Sequence, residues 1–252
     1  MASDATQQGQ AAARTVLRLA VSLTCVAVAW QALTIGGPVF SWLFMNADWS
    51  ELAAVRAERA GSFALLAAIP FLFTRFAKPA ALVVFAWLLA NATAQALVEP
   101  WLPALVIPAQ AARWGAALAL VFTRPQWLLR GAIALTFAAH GVEALYAHPL
   151  FVDYLIRGFG RVSLELGQPA AESMLLAIGV IDLLVAVLIL LPKRLLPVAL
   201  YMAAWGFLTA LARMLFAGLE AWPDALIRVT NSAVPLTLAL LWVRANRESG
   251  HA

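Results

Sequence analysis

Cysteine and charge are both scarce in this chain of 252 residues. Its single cysteine, Cys25, lies inside a long apolar run, which excludes an intramolecular disulfide, a C-x-x-C redox pair and a cysteine-ligated iron–sulfur cluster. Only 12% of the residues are charged and 63% are hydrophobic, whereas soluble domains are about 25% charged. The composition therefore excludes an ordinary soluble domain and predicts a protein whose solvent is a lipid bilayer.

Motifs for nucleotides, haem and nucleic acid are also missing. The sequence has no P-loop, and Gly158-Phe159-Gly160 lacks the third glycine and the preceding strand of a dinucleotide turn. Haem between helices usually needs two facing histidines, and only His140 is deep enough in an apolar run. The net charge is +4, but its Lys and Arg residues are scattered, so no nucleic-acid partner is expected.

Eight apolar runs follow one another along the chain, and each is long enough to cross a bilayer core of about 30 Å as a helix. They cover residues 17–36, 60–76, 79–98, 108–123, 128–147, 173–191, 195–217 and 226–243. The pattern predicts an all-α integral membrane protein with eight transmembrane helices. Residues 1–13 are predicted to be a disordered tail and residues 244–252 a cytoplasmic tail. The first run could instead be a cleaved signal peptide.

The distribution of basic residues predicts the orientation. With both termini in the cytoplasm, the inner segments hold ten basic residues against the acidic Asp4 and Glu248, as the positive-inside rule requires. The basic residues are Arg14, Arg18, Arg75, Lys78, Arg124, Arg130, Lys193, Arg194, Arg244 and Arg247. This places the chain as a multi-pass protein in a bacterial-type inner (plasma) membrane, with lipid as its first partner. The outer loops 37–57 and 148–172 are expected to form interfacial helices.

An internal repeat divides the chain into two units. Arg18 with Val28–Leu33 matches Arg130 with His140–Leu145, 112 residues further on, and Pro79–Leu82 with Trp87 matches Pro197–Leu200 with Trp205. The units cover 14–123 and 126–243. Each has four spans, an even number, so the two four-helix repeats should be parallel and related by an axis along the membrane normal.

Polar side chains within the spans are costly in lipid, which makes them candidate site residues. The candidates are His140, Glu143, Asp182, Arg213, Asn231, Tyr146 and Trp205. The repeat aligns Glu143, Arg213 and Asn231 with the neutral residues Gln31, Gln95 and Gln110, and Asp182 with a position near Ala64. We therefore expect a scaffold-like first unit, and a charged second unit in which Glu143 and Arg213 form an ion pair.

Two ligand classes suit these residues. His140 and Glu143, with His148 and Asp153 beyond the helix end, form a weak candidate metal set, but catalytic metals usually need three protein ligands, so no metal is expected. A quinone headgroup needs donors to its carbonyls and an apolar, often aromatic slot. His140, Arg213, Tyr146, Trp205 and Asn231 could supply both.

Several of these segments also resemble a known family. Arg130-Gly131, Phe137–Leu145, Ile178–Leu184 and Lys193-Arg194 resemble the DoxX-like membrane proteins. The resemblance covers 126–243 well and the first unit faintly. It implies four-span units, and a role as a small subunit of a membrane oxidoreductase such as thiosulfate:quinone oxidoreductase, with a membrane or periplasmic protein partner. The chain departs from the family in its double length and in its lack of paired cysteines, and both departures argue against direct thiol or thiosulfate chemistry.

Three functions therefore remain open on the sequence alone. The first is a quinone-linked oxidoreductase subunit, or a membrane subunit that binds a partner, rather than a stand-alone enzyme. The second is a transporter of a small solute or ion. The duplicated halves favour this function, although no broken helix is evident in the sequence. The third is a non-catalytic assembly protein in which the polar cluster only holds helices together.

Overall fold

A computed structural model describes residues 2–249, with side chains from Gly9 to Val243. These residues form twelve α-helices and one 3-10 turn, and they contain no strand. The helices are α1 (Ala2–Thr34), α2 (Pro38–Asn46), α3 (Glu51–Phe71), α4 (Ala77–Val98), α5 (Pro103–Ala109), α6 (Ala111–Ala119), α7 (Gln126–Leu145), α8 (Pro149–Arg161), α9 (Gln168–Leu190), α10 (Leu196–Ala217), α11 (Trp222–Ile227) and α12 (Val229–Ser249). The 3-10 turn is Leu219–Ala221.

Local sequence signals set the starts of these helices. Proline occupies the first turn of α2, α5, α8, α9, α10 and α11, where its missing N–H has no intrahelical partner to lose. Ser50 caps α3 by accepting a hydrogen bond from the Ala53 amide. The helices α2 and α8 lie in the two loops where interfacial helices were predicted.

Five helices of the described chain are long and apolar enough to span a membrane: Gly9–Thr34 within α1, α4, α7, α9 and α10. A sixth span results if Leu219–Ile227 and Val229–Val243, bent by 45°, count as one. Length and composition thus identify five or six spans and not eight. The predicted span 60–76 overlaps α3 only as far as Phe71, and the early turns of α3 carry several charges. The predicted span 108–123 is interrupted at Gln110, between α5 and α6, and its helical part ends at Ala119.

The outward faces of the long helices are apolar, as a bilayer requires. On α9 the residues at helical spacing on one face are each more than half exposed: Leu176, Val180, Leu184 and Val187. An exposed apolar stripe of this length is stable only against lipid or another protein. The described residues therefore confirm the prediction of an all-helical, multi-pass membrane protein.

Both predicted tails are helical over their described residues. The helix α1 begins at Ala2, so residues 2–13, for which the sequence predicted a disordered tail, are helical in the structure. The helix α12 continues to Ser249 without a break at residue 244, where the cytoplasmic tail was expected to begin. Met1 and residues 250–252 lie outside the described residues.

The two halves make the same pattern of helix contacts. In the first half α4 packs on α2, α3, α5 and α6, and in the second α10 packs on α8, α9, α11 and α12. Each half also packs its first helix on the broken helix of the other, because α1 contacts α11 and α12 while α7 contacts α5 and α6. The main core forms where α1, α6, α7 and α12 meet, around Cys25, Ala116, Ile133 and Leu238, all fully buried.

Candidate functional site

A cavity of about 280 Å³ lies in the second half of the chain, between α7, α8, α9, α10 and the break between α11 and α12. Its apolar wall is formed by Phe137, Ala144, Phe151, Leu155, Leu175, Ile178, Leu208, Ala212 and Phe216. Its polar lining consists of His140, Tyr154, Asp182, Trp205, Thr209, Arg213, Arg228 and Asn231. We call this space the large cavity. It brings together five of the residues predicted from the sequence.

Two glycines bring α7 and α9 together beside the large cavity. A Cβ on Gly179 would lie 2.7 Å from the carbonyl oxygen of Gly141, and a Cβ on Gly141 would lie 3.0 Å from the carbonyl oxygen of Gly179. Only glycine permits this backbone approach. The crossing places His140, one residue before Gly141, and Asp182, one turn after Gly179, on the same cavity.

His140 and Glu143 form a hydrogen-bonded pair on α7. The distance between His140 Nδ1 and Glu143 Oε2 is 2.8 Å, and the two side chains are 25% and 13% exposed. When Nδ1 carries a proton that it donates to the carboxylate, Nε2 is left for a ligand in the cavity. The two residues are therefore in contact, as their spacing of three positions predicted. His140 lines the cavity, and Glu143 does not.

The predicted ion pair between Glu143 and Arg213 was wrong. No salt bridge joins them among the described side chains, and the Arg213 guanidinium instead lies over the Tyr154 ring, with Cζ 4.0 Å from the ring centroid. The reason is the packing of α10, which contacts α8, α9, α11 and α12 while the large cavity separates it from α7. Similar depth in the membrane does not make two charges neighbours.

The break between α11 and α12 contributes two polar residues. Arg228, at the break, donates from Nη1 to the carbonyl oxygen of Asp224 at 3.1 Å. Asn231 is 5% exposed, and its Oδ1 is enclosed without a protein partner among the described residues. The sequence analysis did not include Arg228 among the candidate site residues, although its position three residues before Asn231 is the spacing of one helix face.

Asp182 and Trp205 also line the large cavity. Asp182 is 5% exposed, and its Oδ1 has no hydrogen-bond partner among the described residues. Trp205 stacks on Tyr201, with ring centroids 6.4 Å apart and planes 8° apart. Tyr146, by contrast, is 68% exposed and is not among the residues that line this cavity.

The weak metal set is not assembled. Nowhere in the described chain do three His, Cys, Asp or Glu side chains lie close enough to hold a metal ion. His148 instead caps α8, where Nδ1 accepts a hydrogen bond from the Leu150 amide at 3.2 Å, and its ring packs against Trp101 and Phe151. Burial lowers the pKa of His148 below its ordinary value of 6.5, which favours the neutral form that the cap requires.

A second, smaller cavity of about 80 Å³ lies in the first half, where the break between α5 and α6 meets α1 and α4. We call it the small cavity. Its polar lining consists of Gln31, Asn91, Gln95, Gln110 and Arg113. The three glutamines are those that the repeat aligned with Glu143, Arg213 and Asn231. The first half is nevertheless not neutral, since Arg113 lines this cavity and Glu58 is 2% exposed.

No family model, curated protein or solved structure matches the chain. The resemblance to the DoxX-like family therefore rests on the residues of the second half alone.

Proposed function

We propose that this chain is a membrane subunit of a quinone-linked oxidoreductase and that the large cavity binds the quinone. The observation that carries the proposal is the cavity itself, which joins a mainly apolar wall to a small set of polar groups on α7, α9, α10 and α12. Binding sites for amphipathic cofactors commonly combine these two features. The wall would take the ring and the start of an isoprenoid tail.

The polar groups suit both redox states of a quinone. Guanidinium groups on Arg213 and Arg228 are donors for the carbonyl oxygens of the oxidised form. The enclosed acceptors Asp182 Oδ1 and Asn231 Oδ1, which lack partners among the described residues, suit the hydroxyl groups of the reduced form. The pair of His140 and Glu143 can hold and release a proton at the cavity wall. A bound quinone supplies the redox chemistry, and a partner subunit would exchange electrons with it.

The wider architecture is also a proposal. We infer eight membrane-crossing segments in two parallel units of four, with both termini in the cytoplasm of a bacterial-type inner membrane. Support comes from the matching order and contacts of α1–α6 and α7–α12, and from the glutamines of the small cavity that align with polar residues of the second half. The DoxX-like resemblance of 126–243 supports the same unit and a membrane or periplasmic protein partner.

Quinone binding can be tested on the purified protein in nanodiscs. We expect a short-chain ubiquinone or menaquinone analogue to quench tryptophan fluorescence saturably, with much of the signal lost in Trp205→Phe because Trp205 lines the cavity. Arg213→Gln should weaken the apparent affinity about tenfold, which corresponds to about 1.4 kcal/mol. Arg157→Gln is the control, since its side chain is 70% exposed on α8. Unsaturable quenching, or equal affinities for Arg213→Gln and the control, would contradict the proposal.

A transporter of a small solute is the second candidate, because the structure contains the broken helices that the sequence did not reveal. The chain breaks between α5 and α6 at Gln110 and between α11 and α12 at Arg228, and both residues line cavities. Discontinuous helices at the binding site are a feature of many secondary transporters. Proteoliposomes should then show uptake above empty vesicles for some solute in a broad panel, and Arg228→Gln should reduce it.

A further inference from the structure

Arg113 brings an incompletely bonded guanidinium to the small cavity. Its Nη1 donates to Gln110 Oε1 at 3.1 Å, while its Nε is enclosed and has no hydrogen-bond partner among the described residues. No acidic residue of the described chain lines the small cavity, and Arg113 forms no salt bridge among the described side chains. Arg113 is half-buried, and a cation that is partly removed from water is more stable when other groups compensate its charge.

The hydrogen-bond network around Arg113 presents donors to this space. Arg113 donates to Gln110, and Gln110 Nε2 in turn donates to Gln95 Oε1 at 2.7 Å. This direction leaves the amide nitrogen of Gln95, which also lines the small cavity, as a further donor. The lining thus combines one positive charge with side-chain amides, which suits a small anion better than a metal cation.

Nearby charges strengthen this preference. Arg228 lies close to this cavity, because the preceding residue, Ile227, is part of its lining. The acidic neighbour Asp224 already accepts a hydrogen bond from Gln31 at 2.6 Å, and Glu143 is paired with His140. Arg113 and Arg228 thus form no salt bridge among the described side chains, and a bound negative charge would reduce their mutual repulsion.

We propose that the small cavity is a binding site for a small monovalent anion, of the size of chloride or formate, held by Arg113 and Gln95. A space of about 80 Å³ takes such an ion with one or two waters. The residues that would hold the anion lie in the first half of the chain and do not line the large cavity, so anion binding can be tested without a quinone.

Thermal unfolding of the purified protein tests this inference. At constant ionic strength, we expect replacement of gluconate, which is too large, by chloride or formate to raise Tm saturably. Arg113→Gln should abolish the shift or move its midpoint to about tenfold higher anion concentration or beyond. Arg157→Gln, the exposed control on α8, should keep the wild-type response. A wild-type protein without a saturable shift, or the same shift in Arg113→Gln, would overturn the proposal.

A second variant keeps the test decisive if Arg113→Gln does not fold. Gln95→Glu retains the acceptor for Gln110 and places a negative charge beside Arg113, where it substitutes for the anion. We expect Gln95→Glu to unfold at a temperature no lower than the wild-type protein in gluconate and to lose the chloride-dependent rise in Tm. A full chloride response in this variant would show that the ion binds elsewhere.

Discussion

Each half of the chain places a cavity beside its helix break, yet the two cavities differ in size and lining. The large cavity, of about 280 Å³, is walled mainly by residues such as Phe137, Phe151 and Leu155. The small cavity, of about 80 Å³, is lined by amide side chains such as Gln31 and Gln95. One helix arrangement therefore accommodates an amphipathic ligand in one half and a small polar species in the other.

The helix crossing beside the large cavity gives the largest expected effect. Gly179→Ala would place a Cβ 2.7 Å from the Gly141 carbonyl oxygen, so α7 and α9 must separate. We expect a loss of about 3 kcal/mol in the free energy of unfolding, the upper range for overpacking, measured by denaturant unfolding in mixed micelles. Gly131→Ala is the matched control on α7, because a Cβ there has no neighbour within 4 Å. Equal stability of both variants would refute the tight crossing.

The first half uses a buried carboxylate that the second half lacks at its own short helix. Glu58 Oε2 accepts a hydrogen bond of 2.7 Å from the Phe40 amide, near the start of α2. Glu58→Ala should cost about 2 kcal/mol, because it leaves that amide without its charged acceptor. The exposed Glu51→Ala, on the same helix as Glu58, should change the free energy of unfolding by only about 0.5 kcal/mol. Comparable losses in both would show that the buried carboxylate stabilises nothing.

Filling the large cavity should weaken ligand binding without unfolding the protein. Ala212→Phe adds a ring inside the cavity wall, and we expect quinone-analogue affinity to fall about tenfold, or about 1.4 kcal/mol, while the helical circular dichroism stays unchanged. Leu211→Phe is the control, since Leu211 is 39% exposed on α10 and does not line the cavity. Undiminished affinity in Ala212→Phe would place the ligand elsewhere.

The smallest effect concerns the start of α8. Burial lowers the pKa of His148, so the folded protein binds its proton less readily than the unfolded chain does. The cap therefore contributes to the free energy of unfolding above pH 6.5, the ordinary pKa of histidine, and this contribution is lost as the pH falls below that value. We expect less than about 1 kcal/mol, within the range of helix caps. His148→Asn, which keeps a cap acceptor, should remove this part of the pH dependence, and an unchanged pH profile would argue against it.

Hydropathy and the cost of burying charge predicted part of this structure. The bounds of α4, α7, α9 and α10 follow the apolar runs to within a few residues, because lipid demands continuous apolar helices. His140, Asp182 and Asn231 could be singled out because polar groups in spans are rare. Contacts between helices could not be predicted. The sequence gives the depth of Arg213 in the membrane, but not the rotation of α10 about its axis that turns this side chain toward Tyr154.

The broken helices escaped prediction for a different reason. The break at Gln110 interrupts a weakly apolar run, and the break at Arg228 lies where the sequence indicates only the start of a span. Helix continuity depends on the partners available to the freed backbone groups, and these partners come from distant segments. The Ala112 amide, for example, donates to the Thr136 hydroxyl on α7 at 2.8 Å.

The packing of α1 against α12 constrains how the protein can be made. Gln31 on α1 bonds to Asp224, 193 positions away along the chain, and Thr24 on the same helix is fully buried. A ribosome delivers α1 to the membrane long before α11 and α12 exist, so during translation this face of α1 meets lipid or an insertion factor. The contacts of α1 with the last two helices can therefore form only after almost all of the chain has been synthesised, and a chain stalled before Asp224 would leave Gln31 without this bonding partner.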